Sequence, residues 1–229
     1  MSMLIAAAAV FLLIHLLVAG TQVRDRIVGV VGEGAYLGLF SLASIAALVW
    51  LGIAFGHARS DPANVTYWTI GQATRDPVIV LVLIGFLLAV PGLLTNSPTR
   101  VAGGGQVDKP EAAKGMVRIT RHPFLWGAAI WALAHMIANG RTADLILFGT
   151  IFALALLGTT SIDGKRQRAL GERYTAFKAK TSNIPFAAIV QGRQSFHLGE
   201  IWWRLVVGFA VWAGVLYFHP MWFGVRPLG

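Results

Sequence analysis

The stretch AYLGLFSLASIAALVWLGIAFG, residues 35–56, runs for 22 residues without a charge. A helix needs about 20 apolar residues to cross the hydrocarbon core of a bilayer. Apolar residues fill this run continuously rather than at every second position, so it reads as a helix and not as a barrel strand.

The rest of the chain has the same character. Of its 229 residues 56% are hydrophobic and only 13% are charged, about half the charge fraction of a soluble domain. Mean hydropathy is +0.66. The fold class expected is all-α, a polytopic membrane protein of about six helices in one bundle, with 1–229 as a single domain. Its spans fall at roughly 3–20, 35–56, 78–95, 124–139, 144–162 and 201–222. The tight link NGRTAD joins the short fourth span to the fifth as a helical hairpin. The first span lacks a basic leader and has a long apolar core, so it is expected to be retained rather than cleaved.

Charge sets the expected orientation. Fourteen of the 19 Lys and Arg lie in the loops after spans 1, 3 and 5. The positive-inside rule puts those loops in the cytoplasm and both termini outside, as in a bacterial inner membrane with periplasmic ends. The net charge of +9 is then topological. Aromatics are not interleaved with these basic residues as on a nucleic-acid platform, so nucleic acid is not an expected partner. The run DGKRQRALGERYTAFKAK, 163–180, reads as a surface helix beside membrane lipids. RVAGGGQVDKP, 100–110, is the one clear flexible segment.

There is no cysteine, which excludes disulfides, iron–sulfur clusters, thiolate-bound haem and c-type haem. Metalloprotease, nucleophile-elbow and phosphate-loop motifs are also missing. Histidine is therefore the residue expected to hold any cofactor.

His15 and His135 lie deep in spans 1 and 4, where an ionisable group is costly and signals function. Each can be a neutral imidazole hydrogen-bonded between helices, or the two can form a bis-imidazole pair for b-type haem. Ala132 and Ala128, one and two turns before His135, leave a flat recess that also suits helix contact. His57 and His219 end spans 2 and 6, and His197 lies in a loop. His122 forms with Arg118 and Arg121 a cationic cluster at a helix start. It reads as a seat for an anionic group, such as a haem propionate or a nucleotide carboxylate, or as a positive-inside anchor.

GMVRITRHPFLWGAAIWALAHM (115–136), DGKRQRALGERYTAFKAKTSNIPFAAIVQGRQ (163–194) and YFHPM (217–221) resemble the NnrU family. FLLIHLLVAG, GEGAYLGLFSLAS, FGHARSD and VDKP follow the same order upstream. The family includes a plant zeta-carotene isomerase, so the resemblance implies a haem b membrane protein that converts a cis double bond of a carotenoid-like polyene to trans under redox control. His15 and His135 fall on its axial iron ligands, and His57 on a further required histidine. Arg118, Arg121 and His122 would serve the propionates; Phe11, Trp126 and Trp131 would line the apolar pocket. Ala132 replaces a cysteine that the plant enzyme is thought to exchange for its second ligand, and LALLG (154–158) lacks the plant enzyme's paired histidines. Those departures leave haem binding in place and put the ligand exchange in doubt.

Bacterial NnrU proteins are associated instead with denitrification, which implies an accessory or electron-transfer role beside a redox partner. RHPFLWG followed by GERYTAFK also resembles the membrane methyltransferases, with Arg121, His122, Glu172 and Tyr174 around S-adenosylmethionine. A purely structural membrane partner would use none of these ligands.

Overall fold

The computed structural model describes residues 1–101 and 103–228. Helix α1 (Ser2–Leu13) continues through a π-helical turn, Ile14–Val18, then bends by 75° into α2 (Gln22–Val31). There follow α3 (Glu33–Ala58), α4 (Gln72–Leu93), α5 (Met116–Ile119) and α6 (Pro123–Ala138). The chain ends with α7 (Thr142–Leu170), α8 (Glu172–Lys180), α9 (Ala187–Val190) and α10 (Trp202–Phe223). The all-α expectation holds.

Two short strands, β1 (Thr66–Thr69) and β2 (Asn139–Arg141), pair antiparallel. The sequence reading missed them, because a four-residue TYWT carries no usable period. β2 occupies the NGRTAD link, so the α6–α7 hairpin forms as expected and is stitched to the loop after α3. Ala143 N–H also donates to Asn64 Oδ1 at 3.0 Å.

Length and composition alone give fewer spans than six. α3, α4, α7 and α10 each suffice to cross a membrane, and the bent N-terminal pair can count as a fifth. The predicted fourth span, α6, has 16 residues, or about 24 Å of helix. Little of it faces outward. Of its residues only Phe124 and Leu133 are exposed, while α4 packs along one side and α7 along the other. The expected surface helix at 163–180 is also divided: α7 runs on through Leu170, and Gly171, at φ +55°, turns the chain into α8.

The packing order across the bundle is α3, α1, α7, α6, α4, α10. One core cluster joins Leu4, Ala7 and Ala8 of α1 to Leu51, Ala54 and Ala58 of α3 and Ala143 of α7. The α4–α6 crossing uses small residues instead. A Cβ on Gly85 would stand 3.0 Å from the Gly127 carbonyl oxygen, and one on Gly92 2.6 Å from Phe124 N. With lipid as the solvent, close backbone approach rather than hydrophobicity holds such helices together.

Outward-facing residues are apolar: Leu42, Ile45, Leu48 and Ile53 on α3, and Val206 and Phe209 on α10. Trp202 and Trp203 begin α10 and Trp222 lies at its far end, as interfacial anchors do. Loops carrying the basic residues meet on the face opposite the strand pair: Arg166 donates to the Arg100 carbonyl, Arg168 to that of Gly20, and Arg173 pairs with Asp108.

Candidate functional site

His15 occupies the π-helical turn that ends the first passage. Its Nδ1 lies 2.7 Å from the Phe11 carbonyl oxygen, and its ring sits between Phe11 (centroids 4.5 Å) and Phe40 of α3 (5.4 Å). His135 is in the last turn of α6, with Nδ1 2.9 Å from the Trp131 carbonyl oxygen. Trp131 and Phe148 of α7 flank it, at 4.4 and 4.8 Å. A ring whose Nδ1–H donates to a main-chain carbonyl presents Nε2 as a free lone pair, the tautomer that binds metals. Neither Nε2 has a hydrogen-bond partner among the described residues. Ala132, one turn before His135, is fully buried.

The two imidazoles have separate neighbours, Phe11 and Phe40 for His15 and Trp131 and Phe148 for His135. α1 and α6 lie on different flanks of α7 and share no extended contact. Leu16, next to His15, borders the groove at Leu157 of α7, whereas His135 lies against Phe148. That spacing along α7 is roughly 13.5 Å at 1.5 Å per residue. Each histidine, with its Nε2 unengaged, fits an iron porphyrin as a ligand. His219 of α10 has its Nδ1 2.9 Å from the Val225 carbonyl oxygen. His57 is exposed at the end of α3, and His197 Nε2 pairs with Ser195 Oγ at 2.8 Å. No cluster of three or more His, Cys, Asp or Glu that could hold a metal occurs among the described residues.

Arg118, Arg121 and His122 do not form one open cationic seat. Arg118 makes a two-pronged pair with Glu200, at 2.9 and 2.9 Å, and donates to Gln194. Gly115 N–H adds a 2.6 Å bond to Glu200, and the Arg118 pair holds that carboxyl down at about 2. Arg121 instead pairs with Asp163 through Nε (3.0 and 2.9 Å) and Nη2 (2.6 Å). His122 Nε2 and Tyr174 Oη reach the same carboxylate at 2.8 and 2.6 Å. Burial lowers the His122 pKa against the pull of Asp163, and burial together with the Asp163 hydrogen bond raises that of Tyr174. The resulting cluster is closed: one Arg and one Asp cancel, and two neutral donors complete the acceptor's coordination.

Asp163 was missed by the sequence reading. Its one signal is an acid standing between an apolar span and the basic run KRQR. The three aromatics expected around one pocket are also dispersed. Phe11 lies by His15 and Trp131 by His135, while Trp126 Nε1 donates to Asn183 Oδ1 at 3.1 Å.

Packed apolar helices with half-buried imidazoles on two flanks and a sealed polar cap define a polytopic α-helical membrane protein. The chain belongs to the NnrU family, whose model, described as NnrU protein, matches residues 3–227. It is 30% identical over 188 residues to a protein of Arabidopsis thaliana named 15-cis-zeta-carotene isomerase, chloroplastic, covering 81% of this chain and 49% of the relative. A Zea mays protein of the same name is 31% identical over 170 residues, covering 72% and 44%. The chain thus spans about half the length of these curated relatives. No solved structure matches.

Proposed function

We propose that this protein is a membrane isomerase acting on a cis double bond of a carotenoid-like polyene, with haem b held through His135. One observation carries the reading: a His135 imidazole with Nδ1 tied to Trp131, Nε2 unengaged and aromatic walls of Trp131 and Phe148. The names borne by the relatives supply the substrate class.

When bound, ferrous haem supplies an electron-rich centre able to weaken one double bond of a conjugated chain without proton transfer, its oxidation state acting as the gate. The rest is the work of this chain's own residues. The main-chain bond fixes the His135 tautomer and aims Nε2 away from its own helix. Trp131 and Phe148 exclude water and offer flat π-surfaces to a polyene. Ala132, with no ligating atom, leaves His135 without a rival on that face. In this reading His15, on the other flank of α7, is not a second ligand of the same iron. The basic loops face the cytoplasm, and Arg118, Arg121 and His122 support the cap rather than propionates.

Oxidised and reduced absorption spectra of the purified protein test this, alongside chromatography of polyene isomers in a carotenoid-producing host. A Soret band that survives His15→Ala and disappears in His135→Ala is expected. No band after haem-supplemented expression would sink the cofactor; a band with unchanged isomer ratios would point to electron transfer instead. The S-adenosylmethionine reading is disfavoured, because Arg121, His122 and Tyr174 are closed on Asp163.

A further inference from the structure

The 75° bend between Val18 and Gln22 opens a groove of about 400 Å³ against α7. One end is apolar, lined by Leu16 and Leu157; the other is polar, lined by Thr21, Thr160, Ser161 and Arg168. Gly20 forms part of the wall, and a Cβ there would run into Ser161 Oγ. Thr21 and Thr160 direct their hydroxyl hydrogens to main-chain carbonyls, but Ser161 Oγ has no hydrogen-bond partner among the described residues.

Charge around the polar end is unbalanced. Arg24 takes Glu33 and one oxygen of Asp25, and Arg168 lies 3.8 Å from the other. Those pairings use both acids of the neighbourhood. Lys165, outside the groove's own lining, follows Ser161 by one helical turn and has no ion pair among the described residues; the charges acting on it are those of Arg24, Arg166, Arg168 and Asp25. Arg166 keeps a buried Nε without a partner. The groove therefore has a lipid's own polarity, apolar toward the bundle and cationic toward the basic loops.

We propose that this groove binds the phosphate of an anionic membrane lipid, with Ser161 and Arg168 as its donors, Lys165 adding positive charge beside them, and Leu16 and Leu157 against the acyl chain. Basic recesses between membrane helices on the cytoplasmic side recognise headgroups by these means. The site is independent of the polyene reading, since it lies on the opposite flank of α7 from His135.

Native mass spectrometry of the full-length protein in detergent tests it with phosphatidylglycerol, phosphatidylcholine of equal chain length, and glycerol phosphate. Phosphatidylglycerol should be retained preferentially by the parent protein. Lys165→Gln/Arg168→Gln should weaken it about tenfold or more. Ser161→Leu, which fills the groove and leaves every charge, should weaken it too. Lys178→Gln/Lys180→Gln, an equal charge loss on α8, should not. An equal loss in that control would overturn the site in favour of diffuse attraction, as would undiminished binding in both groove variants. Glycerol phosphate binding as tightly as the whole lipid would overturn the lipid assignment in favour of free phosphate.

Discussion

His122 Nε2 lies 2.8 Å from Asp163 Oδ1 across 41 residues of sequence, and Arg121 grips the same carboxylate from the adjacent position. This junction fastens the start of α6 to the emerging end of α7. Removing one member of such a buried pair leaves a charge without compensation, which costs about 3–5 kcal/mol. Asp163→Asn should destabilise by that amount in thermal unfolding in detergent. Adding Arg121→Met to it should restore part of the loss.

Glu200 links Gly115 and Arg118 to the start of α10. Its carboxyl is held down at about 2 from an ordinary 4.5. A depressed carboxyl contributes stability that is fully present above its unfolded value and is lost as pH falls through its folded one. Glu200→Gln should therefore lower stability at pH 7 by about 1–2 kcal/mol, allowing for its partly exposed edge. The gap between parent and variant in unfolding experiments should begin to close below about pH 4.5 and vanish near pH 2.

Glycines of the same helical type should respond oppositely to a methyl group. Gly127 lies against Ala89, whose Cβ a new Cβ would meet at 2.7 Å, and Gly149 has nothing within 4 Å. Gly127→Ala should cost about 1–3 kcal/mol by overpacking. Gly149→Ala should be neutral or stabilise by up to about 1 kcal/mol through helix propensity. Unfolding in detergent separates the two.

Trp68 Nε1 donates to the Ile137 carbonyl oxygen at 2.9 Å, at the last turn of α6. Trp68→Ala should remove this cap and its packing on Gly140. A rise in amide hydrogen exchange at 139–141, with α3 and α10 unchanged, is the outcome that checks it.

The bundle was legible because lipid imposes long uncharged runs, and residues 35–56 announce one directly. The alternation of basic loops likewise anticipated which loops meet. What stayed hidden depends on partners far apart in sequence. Asp163 looks like one acid in a basic segment until Arg121, His122 and Tyr174 surround it. Arg118 and Arg121 look like neighbours in one cluster, yet the four-residue helix α5 and an extended Thr120 send them to different carboxylates. His15 and His135 were recognisable as imidazoles inside apolar spans, and the structure leaves both half-buried, but which flank of α7 each faces is decided by packing order.

The shortness of α6 carries one more consequence. Membranes differ in thickness, and helices in contact with acyl chains tilt or distort to match them. α3 and α10 carry that contact here, whereas α6 is shielded by α4 and α7 and closed at its end by the strand pair. A cell that lengthens its lipids would re-tilt the outer helices and leave the surroundings of His135 as they were.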